Sequence, residues 1–426
     1  MTIYWAPLLH IYQPPTQDDD VLKSINKECY MPLLSILNDC DIAKITLNVN
    51  AVLIELLIEN ELFSTLNLLK NLVSESKVEI TGNAKYHPIL PLIPKKEAYH
   101  QIHINEDLIR REFGNAWQRK GFFPPEMAIS PKIATYIQEL GYKWIIQSGV
   151  AFPGDQYKLD WPLNLIYRTP NGLQLFFRDD ILSNKISFRN TTAKGFVSDI
   201  KNLHKNKQKQ NDDTYIITAM DGETFGHHIK NYEITFLKKV LDMISKDDEI
   251  QLSFISTLDT KFPLSDQRII PKESSWSTTG EDLAKSIFYP LWNHPNNNVH
   301  IFYWKMVRSI TQLINLADNL DLTGNWEALN YRTTARWFYD KSLCSDTTWW
   351  ANPPNLWSPN MIYKGITLLM KAALNAHLAL IKANIEKGEG YFDAILYYHG
   401  LLLMEISSMS QNPKKTLENG FHNEKL

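Results

Sequence analysis

Glu126 and Asp221, with Glu223 as a second choice beside Asp221, are carboxylates that follow strand-like runs and could work as a pair. Cleavage with retention needs two carboxyl groups about 5–5.5 Å apart. One attacks the anomeric carbon; the other protonates the leaving oxygen and then activates water. Pro124 and Pro125 stiffen the approach to Glu126, which suits a positioned nucleophile. Gly222 and Gly226 give the backbone room beside Asp221, and Glu223 is a second choice for the acid/base. Both sites also have a structural reading. An acidic residue such as Glu126 is favoured beside a helix N-terminus by the macrodipole, and Asp221-Gly222 is a common turn signal.

Such groups work only if strands deliver them to one place. Short apolar, β-rich runs predict strands at Ile3–Leu9, Lys44–Val49, Val78–Thr81, Trp144–Gln147, Leu173–Phe177, Tyr215–Met220 and Gln251–Ile255. Helical patterns lie between several of them, at Ala51–Glu59, Leu66–Glu75, Glu97–Phe113 and Pro131–Leu140. This alternation predicts an α/β protein with a parallel sheet, open or closed into a barrel. Active sites of parallel barrels sit at the C-terminal strand ends. Five segments that follow strand-like runs carry ionisable or aromatic groups: His10–Pro15, Gly82–Pro88, Pro124–Glu126, Arg178–Asp180 and Asp221–His228. The stretch Lys201–Asp213 reads as an exposed linker. Beyond about residue 300, Ile301–Leu320 and Met361–Glu386 show helical spacing, with a loop-like Cys344–Ser358 between them. The polar end, Asn412–Leu426, is expected to fray.

Bulk properties narrow the class. The 426 residues are 44% apolar, enough for a large core, and the net charge of −3 offers no basic face for nucleic acid. Cys29, Cys40 and Cys344 are odd in number and widely spaced, which fits a reducing compartment better than a disulfide framework. The N-terminal residues lack a signal-peptide pattern, and the most apolar long stretch, Ile42–Phe63, holds too many polar residues to span a bilayer. A soluble cytoplasmic protein without a membrane partner is the expectation. Aromatics reach 12%, with 12 Trp and 19 Tyr. Sugar sites collect aromatic faces, and so do large cores.

Five segments in order resemble the motifs of glycoside hydrolase family 57, the α-amylase, 4-α-glucanotransferase, amylopullulanase and branching-enzyme group. They are His10-Ile11-Tyr12-Gln13-Pro14; Gly82 to Leu92 (GNAKYHPILPL); Gly121 to Ala128 (GFFPPEMA); Met220 to His228 (MDGETFGHH); and Cys344 to Ala351 (CSDTTWWA). Phe177–Ser183 also has the family's flavour. The resemblance implies an incomplete (β/α)7 TIM-like barrel over residues 1–300. A C-terminal α-helical bundle over 301–426 would contribute Asp346 and Trp349 to the site. It also implies Glu126 as nucleophile and Asp221 as acid/base. His10 and Asp346 would bind sugar hydroxyls, Trp349 would stack on a ring, and His87 would lie where the second motif meets substrate. Tyr12, Gln13, His227 and Trp276 complete the implied substrate set. No metal or cofactor is implied, and the partner is an α-glucan or maltooligosaccharide.

Two departures stand out. Tyr12 replaces the usual second His of the first motif; it can donate a hydrogen bond but cannot carry positive charge. Asn184 stands where an Asp is expected. The leading expectation is amylase-like hydrolysis, because the long insertions of branching-type members are missing. Three alternatives remain open: glucan transfer or branching on the same site, a metal-dependent deacetylase-like hydrolase using His10, His87, His227 or His228 with Asp179 and Asp180, and a non-catalytic glucan-binding protein.

Overall fold

The computed structural model describes residues 1–154, 163–207 and 212–411. The chain divides into two units: Met1–Lys85 with Leu90–Gly280, and Tyr86–Ile89 with Glu281–Leu426.

The first unit is built on parallel strands. One sheet has the order β3 (Val78–Ile80), β2 (Ile45–Val49), β1 (Ile3–Ile11), β8 (Thr214–Asp221), with β9 (Ile250–Leu252) against the start of β1. The other has the order β10 (Leu264–Arg268), β6 (Ile166–Arg168), β7 (Gln174–Arg178), β5 (Trp144–Ser148), β4 (Gly121–Phe122). Two short seams join them. Gly82, just after β3, forms a parallel bridge with Phe122 of β4. The Asp179 N–H, just after β7, donates to Ile217 O of β8 at 2.8 Å. The strands β1, β2, β3, β4, β5, β7 and β8 therefore follow one another round a ring, as seven parallel strands in two ladders rather than one continuous ladder. β6 runs antiparallel to β7.

Period-2 alternation sorts the side chains of these strands. Ala6 and Leu8 of β1, Trp144 and Ile146 of β5, Phe176 of β7, and Tyr215, Ile217 and Ala219 of β8 form one buried core. Continuing each column toward the C-terminal end gives His10 on β1, Ser148 on β5, Arg178 on β7 and Asp221 on β8. The parallel register sets His10 opposite Asp221 on one side and Asn48 on the other. The apolar interior thus ends in a rim of polar groups.

Arg178 ties this rim together at the β7–β8 seam. Its side chain is almost wholly buried; Nε donates to Ala219 O (2.7 Å), Nη1 to Asp180 Oδ1 (2.7 Å) and Nη2 to Asn184 Oδ1 (2.8 Å). The support expected from an Asp at 184 is kept by the amide oxygen, without its charge. Replacing Arg178 with Met leaves Asp180 inside without its cation, and is expected to cost about 3–5 kcal/mol. The check is the unfolding midpoint, with Arg178→Lys falling between because an ammonium lacks the guanidinium fork.

Four long helices, Asn298–Asp318, Trp326–Ser342, Pro359–Lys382 and Glu389–Gln411, make up most of the second unit. The expected loop at Cys344–Ser358 contains a short helix, Asp346–Trp349, and a two-residue hairpin pair, β11 (Ala351–Asn352) and β12 (Leu356–Trp357). Gly365 lets the helix Pro359–Lys382 approach that short helix, since a Cβ there would lie 1.9 Å from Thr347 Oγ1.

Two other expectations need correction. The first residues of the supposed linker at Lys201–Asp213 belong to the helix Ala193–Lys207, which Phe196, Val197, Ile200 and Leu203 pin down by burying one face. The strand expected at Gln251–Ile255 stops at Leu252, and Ile255 opens a 3₁₀ segment, Ile255–Thr260. Residues 208–211 and the tail from Asn412 lie outside the described residues. No helix among the described residues is long and apolar enough to cross a membrane.

Candidate active site

Glu126 sits on a strained and well-held turn. Its backbone is left-handed (φ 57°, ψ 20°), and Met127 follows at φ 48°. Non-glycine residues in this region cost of order 1 kcal/mol and persist only where their surroundings impose them. Here the surroundings are specific. The N–H of Met127 donates to Pro124 O (2.8 Å) and that of Ala128 to Pro125 O (2.9 Å). Ile129 and Ser274 form an antiparallel bridge, and the Trp276 N–H donates to Glu126 O at 3.1 Å. Gln147 of β5 anchors the partner segment through Lys272 O and Ser274 Oγ. The Trp276 indole N–H then grips the carboxylate itself, donating to Glu126 Oε2 at 3.0 Å.

Trp276 also joins the nucleophile candidate to the first motif. Its ring lies edge-on to His10 (5.8 Å) and to Phe123 (5.8 Å). His10 stacks between Phe123 (5.2 Å, 16°) and Tyr12 (6.0 Å, 17°). Burial lowers the His10 pKa, against the pull of Asp221 and the hydrogen bond to Asn48. Asp221, at the end of β8, is raised above the ordinary carboxylate range by desolvation, which outweighs the His10 and Arg178 charges that lower it. A carboxyl so raised can hold a proton to deliver and remain basic enough to take one back.

Glu223 lies one layer behind. It is buried, and its Oε1 accepts from Tyr30 Oη (2.5 Å), the Tyr12 N–H (3.2 Å) and Gln13 Nε2 (3.4 Å). Gln13 Nε2 also reaches Tyr30 Oη at 3.0 Å. This carboxyl therefore fastens the chain just past His10. Desolvation first, then the Asp221 charge, pushes it up to about 8. The folded protein keeps a proton that the unfolded chain releases near pH 4.5, so stability falls as pH rises through the window from about 4.5 to 8. Glu223→Gln is expected to lose this slope. Its melting midpoint should drop several degrees less than the wild type's between pH 5 and pH 8.

His227 follows Gly226, whose φ of 113° and tight fit against Glu28 O exclude a side chain. The His227 ring meets Glu28 Oε2 at 3.2 Å, and Lys230 shares that oxygen. Glu28 is accordingly lowered to about 2, chiefly by Lys230 and then by His227. The adjacent His228 is exposed, and its pKa is lowered first by partial desolvation and then by His227.

The second unit gathers the remaining candidates. His87 is fully buried with φ 56°; its Nδ1 lies 3.0 Å from Ser345 Oγ, and its carbonyl accepts from the Ser345 N–H at 3.1 Å. Ser345 precedes the short helix carrying Asp346 and Trp349, and Trp349 meets Trp350 edge-on at 4.7 Å. The second and fifth motifs are thus packed together there, and His10, Tyr12, Gln13, Glu126, Asp221 and Trp276 stand in the first unit. Among the described residues, no three His, Cys, Asp or Glu side chains converge as a metal site.

The model of the family described as Glycosyl hydrolase family 57 matches residues 9–270. An α-amylase of Pyrococcus horikoshii is 27% identical over 264 residues, 60% of this chain and 40% of that protein. The chain therefore spans well under two thirds of that curated relative. Two solved structures share the fold. A 4-α-glucanotransferase from Thermococcus litoralis has a TM-score of 0.67 at 21% identity, covering 87% of this chain and 60% of that one. An exo-type maltose-forming amylase from Pyrococcus sp. ST04 has a TM-score of 0.73 at 12% identity, covering 92% and 83%.

Proposed function

The chain belongs to glycosyl hydrolase family 57, and from that premise we propose that it is a retaining enzyme acting on α-linked glucans, amylase-like in preferring water as acceptor. The observation that carries this reading is the clamp on Glu126: a left-handed turn pinned at both ends, with one carboxylate oxygen held by the Trp276 N–H.

In the first step Glu126 attacks the anomeric carbon, and the bond to the glycosidic oxygen breaks as Asp221 gives that oxygen its proton. A glucosyl ester on Glu126 results. In the second step the Asp221 carboxylate takes a proton from water, whose oxygen attacks the same carbon. Glu126 leaves as a carboxylate and Asp221 is protonated again. Two inversions give net retention. The raised Asp221 carboxyl supports its acid role, and the Trp276 hydrogen bond supports a nucleophile fixed in direction.

His10, Tyr12, Gln13 and His227 are the proposed sugar contacts of the first unit, and Asp346 and Trp349 those of the second, where the fully buried His87 would serve substrate through its contacts with Ser345. Trp276 serves substrate mainly by holding Glu126. Trp349→Ala is expected to raise KM about five- to tenfold with little change in kcat, as loss of one stacking face would do. A change confined to kcat would argue against stacking. Three cysteines, none disulfide-bonded, support a reducing, cytoplasmic setting.

A product profile on amylose, pullulan and maltopentaose tests the activity. Short maltooligosaccharides from amylose and maltopentaose are expected, with pullulan cut more slowly. Products longer than maltopentaose would place transfer above hydrolysis. No turnover on any of the three would favour a glucan-binding role.

A further inference from the structure

A chain of buried amides behind His10 determines which of its ring nitrogens carries the proton. The backbone N–H of Ala84 can only donate, and it donates to Asn83 Oδ1 at 2.6 Å. Asn83 must then turn its NH2 the other way, toward Asn48 Oδ1 (2.8 Å) and Asn50 Oδ1 (3.3 Å). Asn48 consequently presents its oxygen on that side and its NH2 to Thr81 Oγ1 (2.9 Å). The same Asn48 oxygen lies 2.6 Å from His10 Nδ1. An amide oxygen only accepts, so Nδ1 bears the hydrogen and, in the neutral ring, Nε2 does not. Asn48 and Asn83 are fully buried, so water does not compete for these positions.

We propose that Asn48 is a positioning residue: with Asn83 it holds His10 as the Nδ1-protonated tautomer, so that Nε2 meets the substrate as an acceptor of a sugar hydroxyl proton. This rests on the reading of His10 as a sugar contact. It adds a selection rule, because an Nε2 acceptor rewards a hydroxyl at that position and gains nothing from a fluorine or hydrogen there. A donor at Nε2 would bind the hydroxyl oxygen instead and tolerate fluorine better. Without Asn48 a neutral imidazole side chain favours the Nε2-protonated form, so the locked tautomer runs against the ring's own preference.

The test is nitrogen-15 NMR of the full chain, histidine-labelled, at a pH where His10 is neutral, with the His10 signals identified by their loss in His10→Gln. The wild type is expected to show a proton on Nδ1 and a bare Nε2. Asn48→Leu is expected to move the proton toward Nε2 and to lower kcat/KM on maltopentaose about 2- to 10-fold, the worth of one neutral hydrogen bond. Asn83→Ala, which removes the group that orients Asn48, should give a mixture of tautomers and serves if Asn48→Leu does not fold. A proton on Nε2 in the wild type overturns the proposal. So does a variant that keeps the pure Nδ1 form, or one that changes tautomer with unchanged kcat/KM. The spectra need no turnover, so a chain inactive on glucans would refute the proposed function while the tautomer is still read.

Discussion

Glu126→Ala is expected to lower turnover of α-glucans by roughly 10⁴-fold or more, since a covalent route loses its nucleophile altogether. The folded state should survive the change. The backbone contacts at Pro124, Pro125 and Ser274 that hold the turn do not depend on the side chain. Relief from the left-handed geometry is not gained, because alanine is strained there too. Added azide should partly restore cleavage of an activated α-glucoside and yield the β-glucosyl azide, because the anion attacks from the face that Glu126 vacates. Turnover that persists in Glu126→Ala without azide would remove Glu126 from the mechanism.

The second large effect concerns Asp221. Asp221→Asn is expected to slow glucan cleavage by about 10²- to 10⁴-fold, the usual worth of a positioned acid/base. The first step on α-glucosyl fluoride, whose leaving group needs no proton, should be nearly spared. Burial holds the Asp221 pKa above the ordinary range despite His10 and Arg178. The acid form is therefore lost only at higher pH, and wild-type kcat/KM should fall on that alkaline side. In Asp221→Asn that limb disappears, because the amide has no proton to lose. An unchanged alkaline limb in the variant would assign it to another group.

Much of the first unit was legible because its strands bury one or both faces. Ile3–Ile11 and Thr214–Asp221 are apolar enough to show, and the helix Ala51–Glu59 ends where its pattern ends. Short or edge strands such as β4 and β10 carry too few buried side chains to leave a period. The helix Ala193–Lys207 runs on past Lys201 because Leu203 is buried, while the exposed Asn202 and Lys205 read locally as a linker. The motifs located Glu126 and Asp221, but nothing local announces that Trp276, 150 residues away, holds the Glu126 carboxylate. One missed signal was present. Asn48, in the apolar strand β2, and Asn50, just past its end, are both fully buried, where a polar side chain needs a reason to be. That reason is His10 and the amide chain behind it. Tyr30 gave no such signal, since a tyrosine on a helix is ordinary core; its hydrogen bond to Glu223 appears only in three dimensions.

The covalent glucosyl–Glu126 ester is the species on which the proposed mechanism turns. Incubation with 5-fluoro-α-glucosyl fluoride slows the second step more than the first, and mass spectrometry of the intact chain followed by peptic digestion reads the outcome. A single fluoroglucosyl adduct on the peptide carrying Glu126, absent in Glu126→Gln, is the predicted result. An adduct on a different carboxylate, or a wild-type reaction on maltopentaose whose first product is the β-anomer, would contradict it.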